Sequence, residues 1–264
     1  MSEASRPAPV ESSRADELAR RLSNVRARIS ASSESAGREQ EPTLIVVTKF
    51  HPAVDVLTLA ELGVRDVGES RDQEASAKAA LVNRSLSLLG AADSGLALHW
   101  HFVGQLQANK ARSVVKYAQA IHSVDRISLV GALSRAAVVR AAAEPLDCFI
   151  QVDLNPALED LTATAMPEKS RGGALPSQVA ELAARLDDAE GLRLAGVMAV
   201  APLGEDPDAA FARLARISAT VRSSYSAADG ISAGMSGDLE AAVRHGATHL
   251  RIGSDVLGPR PAVG

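Results

Sequence analysis

A lysine stands at the end of the first strongly apolar segment of the chain, Leu44–Lys49, just before His51 and Pro52 interrupt it. Burying an unpaired ammonium group is costly, so a lysine that ends an apolar strand needs a partner or a purpose. It could form a salt bridge or extend its amine to the rim of the fold. It could also lie in a dry pocket that favours the neutral amine, the form that attacks aldehydes to make a Schiff base. Position alone favours neither interpretation.

A second candidate site is the segment Gly234–Asp238, which joins a predicted strand to a predicted helix. Ser236 can cap that helix, and the glycines beside it allow a ligand to approach the backbone closely. Free N–H groups and the positive end of a helix dipole together make an anion-binding site. An ordinary serine-capped helix has the same pattern, with Asp238 and Glu240 complementing its dipole. This motif alone therefore indicates a phosphate site only weakly.

The last predicted strand ends with Arg251, Ile252, Gly253 and Ser254. Phosphate sites in barrels of parallel strands frequently combine the loops that follow strands seven and eight. Strand alternation puts Arg251 on the same face as His249 and Gly253, and an arginine that points into a barrel needs a carboxylate or a ligand. A lysine after the first strand and a phosphate site on two later loops together describe a pocket for pyridoxal 5'-phosphate (PLP), which carries an aldehyde and a phosphate.

His99 and His101 allow a competing interpretation, because alternation along a strand places both imidazoles on one face. Such a pair is a common metal-binding geometry. Metal-dependent barrel hydrolases carry the pair at the end of the first strand, with further His and Asp ligands, whereas this pair begins the third predicted strand. His122 and His245 do not supply obvious partners, so the sequence assigns no metal site.

From residue 44 onward, short apolar segments alternate with amphipathic ones. Apolar segments that are each followed by a helix predict parallel strands covered on both faces. The eight predicted strands are Leu44–Lys49, Asp66–Glu69, Trp100–Gly104, Ala120–Val124, Cys148–Leu154, Leu194–Val200, Ile231–Met235 and His249–Gly253. An open doubly wound sheet is the alternative, but the first strand lacks the glycine-rich turn of a dinucleotide fold. The predicted fold class is α/β, a single (β/α)8 TIM-type barrel with an additional N-terminal helix.

The N-terminal helix is predicted from apolar residues at helical spacing: Leu18, Leu22, Val25 and Ile29. The residues after the last predicted strand are too few for a full eighth helix, so the N-terminal helix should cover the barrel there. Residues 1–14 are predicted to be a disordered tail, and residues 15–264 to form one barrel domain. No segment reads as a signal peptide or a membrane span, so the protein is expected to be cytoplasmic.

Composition agrees with one such domain and excludes several functions. The chain has 264 residues, and barrels of this type take about 250. A net charge of −4 without a basic patch gives no general affinity for nucleic acid or anionic membranes. The single cysteine, Cys148, lies in an apolar run and is predicted to be a buried, unreactive thiol.

Several longer motifs make the sequence resemble the pyridoxal phosphate homeostasis protein family, whose barrel is similar to the N-terminal domain of alanine racemase. The resemblance runs from about Leu44 to Pro261. Its motifs are Val47-Thr48-Lys49 with Pro52, Gly68-Glu69 with Gln73-Glu74, His101-Phe102 with Asn109-Lys110, Ile121–Asp125, Gly196–Pro202, Gly234–Ala241 and Arg251-Ile252-Gly253. Two departures are Ser70, where the family commonly has Asn, and the segment from Asp153 to Gly173, which is longer and less regular than usual.

The resemblance implies that Lys49 holds PLP as a Schiff base and that Arg251 lies near the pyridine nitrogen. It places the phosphate at Ser236 and at the backbone of Gly253 and Ser254. The predicted cofactor-binding residues are Lys49, Ser70, His101, Met198, Met235, Ser236, Arg251, Gly253 and Ser254. No catalytic residue and no metal ligand is assigned.

The resemblance also implies a function, because members of the family bind PLP and help regulate its cellular supply without an established turnover reaction. They are generally monomeric or weakly associated. The expected partners are PLP and PLP-requiring apo-enzymes, with no nucleic acid and no membrane.

The alternative is a PLP-dependent, racemase-like enzyme. Racemases of this type need a second, β-rich domain and a tyrosine base, and neither Tyr117 nor Tyr225 lies near a predicted strand end. A charged Arg251 beside the pyridine nitrogen also makes PLP a poorer electron sink, which favours the carrier.

Overall fold

Eight parallel strands close into a barrel in the computed structural model, which describes residues 13–88, 97–140, 144–155 and 172–260. The strands are β1 Thr43–Val47, β2 Asp66–Glu69, β3 His99–Phe102, β4 Ala120–Val124, β5 Leu146–Gln151, β6 Leu192–Met198, β7 Gly230–Ser232 and β8 His249–Ile252. Each strand pairs with the next, and β8 returns to pair with β1. The predicted (β/α)8 barrel is confirmed, and the open-sheet alternative is wrong.

Helices follow the strands around the outside of the barrel. They are α1 Arg14–Ser35, α2 Ala53–Glu61, α3 Asp72–Leu88, α4 Ala111–Val114, α5 Ile127–Ala137, α6 Val179–Asp187, α7 Pro207–Ser224, α8 Leu239–Arg244 and α9 Ser254–Leu257. No helix in these described ranges is long and apolar enough to cross a membrane. The predicted tail lies outside the described residues except for Ser13 and Arg14, as does most of the irregular segment after β5.

The N-terminal helix α1 takes the position that the short final helix leaves open. Ser13 caps α1 through a reciprocal capping box with Asp16, which satisfies backbone donors at the first turn. The four predicted apolar residues are all buried. They pack α1 against α2, α8 and α9. The N-terminal helix therefore closes the ring of helices, as predicted from the few residues that follow β8.

The strands separate an apolar outer core from a polar barrel interior. Leu250 and Ile252 face outward into the large core between sheet and helices, whereas the intervening Arg251 faces inward, because side chains alternate along a strand. Inside the barrel a small apolar cluster contains Phe149 and Met198. Cys148 belongs to the outer core, and burial raises the pKa of its thiol, which confirms the prediction of a buried, unreactive cysteine.

Candidate functional site

Lys49 lies in the turn that follows β1, two residues beyond Val47, with its side chain half-buried. Burial lowers the pKa of its amine, and the positive charges of Arg260 and Arg71 lower it further. Within the described ranges no carboxylate forms an ion pair with this amine, so the salt-bridge interpretation is not favoured. A lowered pKa increases the fraction of neutral amine, which is the nucleophilic form.

A buried ion cluster fixes the residue before Lys49. The amine of Lys78, on α3, lies 2.8 Å from the carbonyl oxygen of Thr48, 2.7 Å from Glu69 Oε1 and 2.9 Å from Glu74 Oε1. The hydroxyl of Thr48 donates to the same oxygen of Glu69, at 2.7 Å. Sequence reasoning missed Lys78, although its position four residues after Glu74 is the spacing of a helical ion pair. The cluster therefore holds the end of β1 in place from the helix side.

The next residue, Phe50, has φ of 70°, a left-handed conformation that is uncommon for a bulky side chain. Its N–H donates to the carboxylate of Glu74. Two guanidinium groups lie over its ring, that of Arg71 at 4.8 Å and that of Arg260 at 4.6 Å from the ring centroid, which is cation–π geometry. These contacts keep two positive charges beside Lys49 and account for part of its lowered pKa.

The loops after β7 and β8 meet at two serines, whose hydroxyl oxygens, Ser236 Oγ and Ser254 Oγ, are 3.1 Å apart. Ser236 is half-buried and Ser254 is exposed. The β8 loop runs beside β1 so closely that a Cβ added at Gly253 would lie 3.2 Å from the carbonyl oxygen of Val47. The structure therefore brings the two predicted phosphate loops next to the turn that carries Lys49.

Arg28, on α1, forms hydrogen bonds to residues of both predicted phosphate loops. Its guanidinium donates to Glu240 Oε1 at 2.9 Å, to Asp255 Oδ2 at 2.6 Å and to the carbonyl oxygen of Ser236 at 3.0 Å. Glu240 was expected to complement a helix dipole, and the structure pairs it with Arg28 as well. Sequence reasoning missed this arginine because each partner lies more than 200 residues further along the chain.

Arg251 points into the barrel, as strand alternation predicted. Its Nη1 donates to Ser232 Oγ at 2.7 Å, and its Nη2 donates to the carbonyl oxygen of Ala199 at 2.9 Å. The expected partner was a carboxylate or a ligand, and these two protein oxygens are neutral. Burial lowers the pKa of Arg251 to about 10, which still leaves the guanidinium charged at neutral pH.

Ser232 continues into a line of hydrogen bonds through the barrel interior. Its hydroxyl lies 2.8 Å from His122 Nδ1, the other nitrogen of His122 lies 2.9 Å from His101 Nδ1, and His101 Nε2 lies 3.0 Å from Asp66 Oδ1. We refer to Asp66, His101, His122, Ser232 and Arg251 as the interior network. It runs from the first residue of β2 to the face of β8 beneath the two phosphate loops.

The histidines therefore differ from their expected arrangement. His122 was expected to supply no obvious further metal ligand to the histidine pair of β3, and the structure instead shows it hydrogen-bonded to His101. His99 is largely exposed and lies 3.4 Å from Asp66. Both ring nitrogens of His101 have protein partners. In the part of the chain that the structure describes, no group of three His, Cys, Asp or Glu side chains could hold a metal ion.

The other predicted cofactor residues lie around the same end of the barrel. Ser70 follows β2, and its backbone packs so closely on Gly104 that a Cβ there would lie 2.2 Å from the Ser70 carbonyl oxygen. Met198 ends β6 and is buried against Phe149 in the interior cluster. Met235 follows β7 and is partly exposed. His101 differs, because it lies deeper in the barrel and bonds to the start of β2.

Comparison with known proteins agrees with this geometry. The fold and the site define a barrel of the alanine racemase type, and the family described as alanine racemase, N-terminal domain matches residues 21–261. A protein of Mycobacterium tuberculosis named pyridoxal phosphate homeostasis protein is 45% identical over 255 residues, which cover 94% of each chain. The chain belongs to the pyridoxal phosphate homeostasis protein family.

Solved structures extend the comparison. The structure of PipY from Synechococcus elongatus with PLP bound has a TM-score of 0.70 and 30% identity, and the match covers 91% of this chain and all of that chain (100%). Alanine racemase from Corynebacterium glutamicum has a TM-score of 0.59 at 15% identity, and the match covers 95% of this chain but 62% of the racemase. The racemase likeness shows a shared fold and nothing about activity.

Proposed function

We propose that this protein binds PLP as a Schiff base on Lys49 and serves PLP homeostasis as a carrier. The observation that carries the proposal is the half-buried amine of Lys49, with its lowered pKa, beside the paired hydroxyls of Ser236 and Ser254. The names of the homologues, and the PLP in PipY, support the same ligand. The family relationship then suggests the role in PLP supply.

The residues present fit both the aldehyde and the phosphate of PLP. The neutral amine of Lys49 forms the new C=N bond at the aldehyde carbon, and the aldehyde oxygen leaves as water. The phosphate would be bound by the hydroxyls of Ser236 and Ser254 and by the backbone of Gly253, where the missing Cβ leaves room beside β1. Arg71 and Arg260, which both contact the ring of Phe50, add positive charge for an anionic ligand.

The remaining predicted residues would surround the ring. Arg251 would donate to the pyridine nitrogen, while Ser70, Met198 and Met235 would contact the ring or its substituents. For His101 we expect an indirect contribution, because both its nitrogens are already bonded to protein atoms. Expectations of a cytoplasmic location, of a monomer or weak dimer, and of delivery to PLP-requiring apo-enzymes remain predictions from the sequence.

The carrier is preferred to a racemase-like enzyme on the chemistry of the described residues, which include both tyrosines. Racemisation needs a base on each face of the substrate, and Lys49 can serve one face. Tyr117 is buried, and burial raises the pKa of its hydroxyl, so it stays protonated at neutral pH and is not available as a base. Tyr225 lies at the C-terminal cap of α7. A charged Arg251 disfavours a protonated pyridine nitrogen, which weakens PLP as an electron sink.

Borohydride reduction of the PLP-treated protein, followed by peptide mapping, tests the attachment directly. Reduction converts the C=N bond to a stable amine, so the label marks the lysine that formed it. The chain has five lysines, and we expect the pyridoxyl group on Lys49 alone. A label on Lys110 or Lys169 in place of Lys49 would contradict the proposal.

Substitution of Ser236 by alanine should weaken retention of PLP by roughly 1–3 kcal/mol, the scale of one hydrogen bond to a charged group. Binding of pyridoxal, which lacks the phosphate, should hardly change. Equilibrium dialysis with both ligands measures the difference, and Ser223→Ala, on the exposed surface of α7, is the matched control. Equal losses for PLP and pyridoxal would mean that Ser236 supports the fold and not the phosphate.

A further inference from the structure

The interior network is polar, nearly all buried, and outside the direct reach of the proposed Schiff base. His122 and Ser232 are fully buried, and Arg251 and His101 are almost so. Asp66, at the start of β2, has the most exposed side chain of the five. A line of polar groups through a barrel interior is less stable than apolar packing unless each group is satisfied. A functional role at one end of the network therefore explains these polar groups better than a purely structural role.

Chemistry dictates the direction of the hydrogen bonds at the two ends of the network. A guanidinium only donates, so Ser232 Oγ accepts from Arg251. At the other end a carboxylate only accepts, and although burial opposes it, the hydrogen bonds of His101 and His99 hold the pKa of Asp66 well below its usual range. Asp66 is therefore an anion that accepts a hydrogen bond from His101 Nε2.

One arrangement of protons gives every N–H and O–H in the middle of the network an acceptor within it. Complete burial holds the pKa of His122 well below its usual value, so this ring is neutral and carries one N–H. In this arrangement His101 donates through Nε2 and accepts at Nδ1, and the proton of His122 is on Nε2. His122 Nδ1 then accepts the hydroxyl proton of Ser232, whose oxygen is left to accept from Arg251. All four hydrogen bonds point from Arg251 towards Asp66.

We propose that Asp66, His101, His122 and Ser232 are positioning residues for Arg251, which they hold charged and oriented towards the ring nitrogen of PLP without a contacting carboxylate. This inference rests on the proposed function. A carboxylate in direct contact with Arg251 would use two parallel N–H groups of its guanidinium. Among the described residues, its named hydrogen bonds use two of five N–H groups. The others remain available to an acceptor, and a pyridine nitrogen accepts only while it is unprotonated.

Phe149 and His249 pack against the imidazoles of the network. Phe149 stacks on His122, with 4.3 Å between ring centroids, which excludes water from that face. The ring of His249 lies 6.2 Å from His122 and 6.4 Å from His101. Burial lowers the pKa of His249 to about 4, so it adds no positive charge at neutral pH. In this arrangement of protons the charges of the network are those of Asp66 and Arg251.

Asp66→Asn tests the proposal, because asparagine can still accept from His101 but carries no charge. The probes are PLP and the PLP analogue in which carbon replaces the ring nitrogen. We expect the variant to retain PLP about three- to tenfold less well, the scale of one hydrogen bond, and to change the visible absorption of bound PLP. Retention of the carbon analogue should be unchanged. Asp147→Asn, which alters an exposed ion pair with Arg193, should affect neither ligand.

Ser232→Ala provides a second break in the network, next to Arg251, and should show the same selectivity for the ring nitrogen. Ser232→Thr keeps the hydroxyl and should restore retention. Equal losses for PLP and the carbon analogue in both broken variants, or no loss for either ligand, would overturn the positioning role.

The proposed function and this inference can fail separately. If the wild-type protein does not attach PLP to Lys49, the proposed function fails. NMR of labelled histidine ring nitrogens in the ligand-free protein still tests the network, and we expect the proton of His122 on Nε2. A proton on Nδ1 of His122 would reverse the inner hydrogen bonds and contradict the proposed direction.

Discussion

Replacing Lys49 by alanine is expected to abolish covalent attachment of PLP while the barrel remains folded. The amine of Lys49 supplies the nitrogen of the C=N bond, so no other residue of the turn can replace it. The residue lies in a half-buried turn outside the apolar core, and its removal should change the free energy of unfolding little. Borohydride treatment followed by intact-mass measurement should show the pyridoxyl adduct on the wild-type protein and none on the variant.

Two control variants sharpen this result. Lys49→Arg keeps a positive charge but has no nucleophilic amine, so it should lose the adduct as completely as alanine. Lys116→Ala removes an exposed lysine and should keep the adduct. A pyridoxyl adduct of normal yield on Lys49→Ala would show that PLP reacts elsewhere and would remove the basis of the proposed carrier function.

Replacing Lys78 by methionine is expected to lower the free energy of unfolding by about 3–5 kcal/mol, the usual cost of removing one partner of a buried ion pair. Glu69 is fully buried, and without Lys78 its charge has no cation in contact. Urea denaturation measures the change. Lys116→Met, at an exposed position, should stay within about 0.5 kcal/mol of the wild type. A loss below about 1 kcal/mol for Lys78→Met would show that the cluster is not an important source of stability.

The pH dependence of the Lys78 variant follows from Glu69. Burial raises the pKa of Glu69 even in the presence of Lys78, and removal of the lysine raises it further. A carboxyl group with a raised folded-state pKa binds more protons when folded, so its contribution to stability is present below the unfolded pKa and is lost as pH rises. The Lys78→Met deficit should therefore grow as pH rises above the raised pKa of Glu69 in the wild-type protein. Adding Glu69→Gln should recover part of the lost stability and remove this pH dependence.

Much of the fold was predictable because it follows from local patterns of apolar residues in the sequence. Eight apolar segments at regular intervals, each followed by a helix, can bury their surfaces in few other ways. The predicted segments overlap all eight strands, although Lys49 lies in the turn beyond β1 and not in the strand. The meeting of the two predicted phosphate loops was also predictable, because the barrel fold places the ends of β7 and β8 side by side.

The sequence by itself determined the candidate residues of the site: the lysine after β1, the serines and glycines after β7 and β8, and Arg251 on the inward face of β8. Only the tertiary structure decided which residues form hydrogen bonds around them. The partners of Arg28 lie more than 200 residues away in the chain, and His122 and Ser232 are separated by 110. Strand alternation tells which side chains enter the barrel but not which of them meet across it, because those contacts depend on the register and closure of all eight strands.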